Sequence, residues 1–206
     1  VITIADRNYQ DYVNGIKVYY IPYSNLFWQY TAIRHKKAAR LIWHTVDVFN
    51  VFVLKHIRKI LEEEKPDIAH TNNISGFSVA IWRLLHEQNI PVVHTLRDYY
   101  LLCVNSSMFR NNRNCLTPCA RCRTFSMVKK RMTDCVDAVV GVSHSILHRH
   151  LNLGYFTHTR INSTVYNAIP DAPRKQKKDK SNGKIHFGYM GILAPHKGVE
   201  LILKVF

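Results

Sequence analysis

Three groups of residues in this chain have types and spacings that could do chemistry. Residues 184–191 read as a buried strand that ends at Gly191. A short loop leads to Lys197-Gly198, and Val199, Leu201, Ile202, Val205 and Phe206 follow at helical spacing. A strand, a tight turn with a lysine and a helix start make an anion site. Backbone N–H groups and the helix dipole face the ligand, and the lysine adds a full charge. Gly191, Lys197 and Gly198 are the binding residues of that site; a plain strand–helix turn is the other reading. Arg97 and Asp98 form the second group, where the apolar run 91–96 meets its loop. Arginine is no base at neutral pH but can hold a phosphate or carboxylate with two parallel bonds. Asp98 either contacts substrate or caps the next turn with Arg97 as its partner.

The third group is Cys103, Cys115, Cys119 and Cys122, spaced C-x11-C-x3-C-x2-C in a loop rich in Asn and Arg. No signal peptide is legible at the start of the chain, so the expectation is a cytoplasmic protein, where clustered thiols favour zinc over disulfides. A tetrahedral zinc would also give a poorly cored loop its order. The x11 and x3 spacings are not those of paired zinc knuckles, and free thiols are the alternative.

The elements that must carry these groups alternate. Residues 15–21 read as a strand and residues 31–64 as helix in two pieces, with Val46, Phe49, Val53, Ile57, Ile60 and Leu61 at helical spacing. Strands are predicted at 66–71, 91–96, 137–143 and 162–166. Helices are predicted from Ser75 to about His86, over 125–135, and from the Ser143 cap onward. Such alternation implies an α/β fold with a parallel sheet and helices on both faces. Ligands then sit outside the C-terminal strand ends, where His70, Gly76, Arg97 and Asp98 fall. The 206 residues carry 29 Lys and Arg against 14 Asp and Glu, a net charge of +15 that favours anionic partners. Part of the excess lies in 174–180, which reads as a solvated linker.

Pro66-Asp67-Ile68-Ala69-His70 with Asn72 and Gly76, the strand ending His94-Thr95-Leu96-Arg97-Asp98-Tyr99-Tyr100, Val142-Ser143, Gly154-Tyr155, Val165-Tyr166-Asn167-Ala168-Ile169 and the Gly191 to Gly198 turn occur in that order. Together they resemble the family 4 glycosyltransferases, of GT-B architecture. The resemblance implies a Rossmann-like N-terminal, acceptor-side domain over 1–170, lacking its first strand. A linker at 171–183 and the start of the donor-binding domain at 184–206 follow. It implies a transferase, inactive as a fragment, that passes a sugar from a nucleotide sugar to a glycan or lipid-linked acceptor with retention. Lys197 would bind the diphosphate, and no cofactor is required for the chemistry. Ile192 stands where the family has Arg, and Arg97 where it often has His.

Two alternatives stay open. One is a basic nucleic-acid-binding module with a cysteine metal site, against which aromatic and basic residues are not interleaved in a stacking motif. The other is a different GT-B enzyme such as a nucleotide-sugar epimerase. A further expectation concerns Phe27 to His44, where Trp28 and Trp43 mix with Lys36, Lys37 and Arg40. Ile33, Lys36, Lys37, Arg40 and Trp43 would form one side of an interfacial helix on anionic lipid; packing of both tryptophans on the sheet is the competing reading.

Overall fold

The computed structural model describes residues 1–28, 35–169 and 187–205. They form two units, Val1–Met108 with Cys115–Tyr166, and Phe109–Asn114 with Asn167–Phe206.

The larger unit starts with β1 (Ile2–Ala5), β2 (Tyr9–Val13) and β3 (Ile16–Pro22), a three-stranded sheet in the order β1-β3-β2. β1 runs parallel to β3 and β2 antiparallel to it. Of these three strands only β3 is among the predicted ones. The signal for its hairpin was Asn14-Gly15, whose φ values of 52° and 79° suit a tight two-residue turn.

The helical stretch is two helices, α1 (Lys37–Val48) and α2 (Leu54–Glu64). Then β4 (Ala69–Asn72), α3 (Ala80–Glu87), β5 (Val92–Leu96), α4 (Ala120–Met132), β6 (Ala138–Gly141), α5 (His144–Asn152) and β7 (Ile161–Thr164) complete the unit. Its second sheet is all parallel, in the order β4-β5-β6-β7, the α/β architecture expected. The helix predicted from Ser75 starts five residues later. Asn73, Gly76 and Ser78 all have positive φ, so the chain turns before it can wind. Ser143 caps α5 as expected, its Oγ accepting from Ile146 N at 3.3 Å.

One apolar core, with Ile21, Ile57, Trp82, Leu85, Leu96 and Leu147, joins both sheets to the helices. β1 and β4 end their sheets, and an apolar groove of about 720 Å³ runs between them. Gly141 sits where β6 meets α5. A Cβ there would lie 2.6 Å from Leu147 Cβ and 2.9 Å from the Ser143 carbonyl oxygen. Gly141→Ala is therefore expected to cost about 1–3 kcal/mol, the range for overpacking a filled core. A urea midpoint unchanged from wild type would contradict that packing.

The smaller unit contains a hairpin, Phe109–Arg110 against Arg113–Asn114, and a last helix, α6 (Val199–Val205). The strand predicted over 184–191 is not found in its described part, 187–191, which is irregular. An isolated strand has no ladder to satisfy its backbone, and no described residue pairs with it. Residues 184–186, and all of the predicted linker beyond Ile169, lie outside the described residues. Among the described residues no helix is long and apolar enough to cross a membrane.

Candidate functional site at the strand ends

β4 and β5 deliver their C-terminal residues to neighbouring points, because Asn72 and Thr95 are register partners. His70 Nε2 meets Thr95 Oγ1 at 2.8 Å. Arg97 is exposed, and its Nε donates to Asn72 Oδ1 at 2.6 Å. His70, Asn72 and Arg97 thus form one polar cluster across the strand ends.

Asp98 faces elsewhere. Its Oδ1 accepts from Tyr100 N at 2.8 Å, so it does cap the following turn. It also lines a pocket of about 300 Å³ with Phe27, Arg40, His44, Asn73, Ser75 and Asn105. Burial raises the Asp98 carboxyl above the usual carboxylate range, opposed by the Tyr100 N–H and Lys129. Cap and pocket wall are therefore both its roles, since one carboxylate has several acceptor positions. Arg97 is not among the lining residues. The cation in the wall is Arg40, a residue of the expected membrane-facing side, and His44 lines the wall one turn further along α1. Burial and the neighbouring Arg121, Lys129 and Arg40 push His44 down to about 4, so it is a neutral hydrogen-bonding group at pH 7.

Gly76 follows the pocket residue Ser75 and is held by Asp47. Its N–H donates to Asp47 Oδ1 at 2.9 Å. Its φ of 86° is left-handed, and a Cβ would lie 2.8 Å from Ile4 Cδ1 and 3.1 Å from Tyr23 Cε2. Gly76 is thus needed for close backbone approach.

The loop after β5 is held by the same residue, Asp47, through its backbone as well. Tyr100 OH donates to the Asp47 carbonyl oxygen at 3.0 Å. The buried Lys129 Nζ donates to the Tyr100 carbonyl oxygen at 3.1 Å and lies 4.0 Å from Asp47 Oδ2. Neither Asp47 nor Lys129 was legible as a site residue. A lysine in a basic helix reads as solvated until the neighbouring helix is known.

The cysteines only partly converge. Cys103 and Cys122 Sγ are 3.8 Å apart, and Cys119 hydrogen-bonds Cys122. Burial and the two neighbouring thiols hold the Cys122 thiol up at about 12, opposed by the Val104 N–H. Cys115 is engaged through its backbone, its N–H donating to Met108 and its carbonyl accepting from Arg149. Among the described residues no three His, Cys, Asp or Glu side chains are grouped to hold a metal ion. A structural zinc site needs four ligands. As placed, Cys103, Cys115, Cys119 and Cys122 do not present a preformed set of four ligands. Metal analysis of protein purified under reducing conditions decides between zinc and free thiols: about one zinc per chain shows a site, and no stoichiometric metal leaves four ordinary cysteines.

Trp43 also departs from the membrane-helix expectation. It is buried, and its Nε1 donates to Tyr23 OH and to the Phe27 carbonyl oxygen, each at 2.8 Å. Ile33 of that expected face lies outside the described residues. His94 is structural, fully enclosed and 3.0 Å from Thr71 Oγ1.

In the smaller unit, Pro195–Lys197 form a single 3-10 turn and Gly198 has φ of 71°; α6 begins at the next residue. Lys197 is exposed beside that helix start.

A parallel α/β sheet with a polar pocket at its strand ends agrees with the comparison to known proteins. The model of Glycosyltransferase Family 4 matches residues 17–171. The chain belongs to glycosyltransferase family 4. This family 4 chain is also 31% identical over 192 residues to an uncharacterized 42.6 kDa protein in a cps region of Klebsiella pneumoniae. The match covers 93% of this chain and 51% of that protein, so the chain spans about half the length of its relative.

Proposed function

We propose that this chain is the acceptor-side part of a retaining glycosyltransferase that takes a sugar from a nucleotide sugar. The pocket lined by Asp98, Arg40, His44, Asn73 and Ser75 carries the reading. It offers a carboxylate, a cation and neutral hydrogen-bonding groups at the strand ends, the place where an α/β sheet binds ligands. A carboxylate and amides suit acceptor hydroxyls, and Arg40 suits a phosphate or uronate on the same acceptor. The cps-region relative favours a glycan or lipid-linked glycan as acceptor and polysaccharide synthesis as the setting. We place the protein in the cytoplasm, with peripheral contact at an anionic membrane where the acceptor is lipid-linked.

Lys197 has the donor role in this reading. The leaving diphosphate gains negative charge as the glycosidic bond breaks, and an exposed lysine beside a helix start stabilises it without a metal. The chain by itself is expected to turn over no substrate, because acceptor and donor halves must both be present.

In the intact protein, Lys197→Ala is expected to weaken nucleotide-sugar binding by about 1.5–3 kcal/mol, the range for a hydrogen bond to a charged group. Calorimetry against a panel of nucleotide sugars reads this directly, and unchanged binding removes Lys197 from the donor site. Asp98→Asn should lower transfer while leaving donor affinity intact. A loss of donor affinity in Asp98→Asn would place the pocket on the donor side.

A further inference from the structure

We propose that the outer face of α1, with the segment before it, docks this protein on an anionic lipid surface. The face differs from the one its sequence suggested. Trp43 points inward, and the side chains that point outward are Leu41 and Ile42, which are 53% and 54% exposed. The segment running up to Trp28 is tied to the same helix. Asn25 Nδ2 donates to the Trp43 carbonyl oxygen at 3.1 Å, and the Phe27 carbonyl accepts from Trp43 Nε1. Leu26 and Trp28 therefore lie beside α1, 58% and 41% exposed. Four large apolar side chains held at the surface by one helix and its strap are more than scattered exposure requires.

Charge chooses the occupant. Lys36, Lys37 and Arg40 are all exposed at the first turns of α1. No Asp or Glu occurs in the sequence between Asp11 and Asp47, while Lys36, Lys37 and Arg40 fall close together at the start of α1. The one carboxylate of α1, Asp47, is buried and committed to Gly76 N. The face thus combines exposed Leu, Ile and Trp with exposed Lys36, Lys37 and Arg40. Apolar side chains entering the headgroup boundary, with Lys and Arg at the phosphates, is the energetics of an interfacial helix. A nucleic acid would use the cations but leave Leu41 and Ile42 exposed.

Arg40 also lines the pocket that holds Asp98, so the docking face adjoins the pocket mouth. A lipid-anchored acceptor held in that membrane would reach the pocket without leaving it. This last link rests on the glycosyltransferase reading; the docking itself does not.

The test uses the intact protein with vesicles of phosphatidylcholine alone or mixed with phosphatidylglycerol, at low and high salt. Binding should require the anionic lipid and fade as salt screens it. Leu41→Ser/Ile42→Ser should lower the bound fraction about tenfold, and Lys36→Gln/Lys37→Gln roughly fivefold per charge. Leu116→Ser, at a residue 80% exposed elsewhere, should change nothing. Trp28 supplies an independent signal, because Trp43 and Trp82 are buried. Its emission should shift to the blue on anionic vesicles, and Trp28→Phe should abolish that shift. Equal binding to neutral vesicles, no binding to either, or an equal loss in Leu116→Ser overturns the proposal. So does binding to a polyanion, such as nucleic acid, that Leu41→Ser/Ile42→Ser leaves intact while vesicles are ignored. Activity on a water-soluble acceptor, unaffected by the Leu41 and Ile42 changes, separates failed docking from a failed reading of the reaction.

Discussion

Lys129→Ala is expected to destabilise the protein by about 3–5 kcal/mol, the cost of leaving one partner of a buried ion pair alone. Lys129 and Asp47 are 4% and 2% exposed, and each holds more than the other. The Lys129 ammonium lies 3.3 Å over the Tyr100 ring and donates to its carbonyl oxygen. Asp47 accepts from Gly76 N. Burial pushes Lys129 down to about 8 and raises Asp47, while each charge partly restores the other. Removing the lysine leaves a buried carboxyl that must take up a proton or stay charged without its cation. Removing both, as Asp47→Leu with Lys129→Met, should cost clearly less than the two single losses added, because no orphan charge remains. Urea unfolding of the two single variants and the double variant gives the coupling. A loss under about 1 kcal/mol for Lys129→Ala would show that the pair holds nothing. The consequence reaches the pocket, because Gly76 follows Ser75 and Tyr100 follows Asp98 by two residues. Asp47→Asn keeps an acceptor for Gly76 and should retain more of the loop order than Asp47→Ala.

Acid should unfold the protein earlier than its carboxylates alone would suggest. Burial holds His44 and His150 down at about 4 and His94 at about 3; nearby positive groups add to this for all three, while one hydrogen bond each at His94 and His150 opposes it. His150 Nδ1 is bonded to the Ile146 carbonyl oxygen, and Nε2 has no partner among the described residues. Protonation would therefore add a buried donor with nothing to meet. In the unfolded chain these imidazoles take up protons near 6.5. The unfolded state thus binds more protons below that pH, and folding stability drops as pH falls. Stability from these groups is complete above pH 6.5 and is lost progressively down to about 4 for His44 and His150, and about 3 for His94. Each contributes a slope of up to about 1.4 kcal/mol per pH unit in that window. The expected measurement is a urea midpoint that falls steeply between pH 6.5 and 4.5, and a shallower fall in His94→Gln and His150→Gln. A flat profile over that range, or an unchanged slope in both variants, would contradict the burial of neutral imidazoles.

The sequence by itself determined the α/β alternation, the parallel sheet, the Ser143 cap and the positions of Arg97 and Asp98 at a strand end. These follow from local rules: period-two and period-3.6 apolar patterns and capping chemistry act within a few residues. The Asn14-Gly15 hairpin was equally local and was legible in principle. Only the tertiary structure decided which neighbours those residues meet. Arg97 pairs with Asn72 and leaves the pocket to Asp98, because parallel pairing of β4 and β5 puts Asn72 next to the start of the loop. Arg40 and His44 became pocket residues, and Trp43 a core residue, because the segment ending at Trp28 lies along α1 and fixes which side faces in. Lys129 became a buried cation because Asp47, 82 positions earlier in the chain, is packed against it. Such pairings depend on long-range packing, in which a charge is buried only if a distant segment brings its partner, and no spacing rule within one segment encodes that.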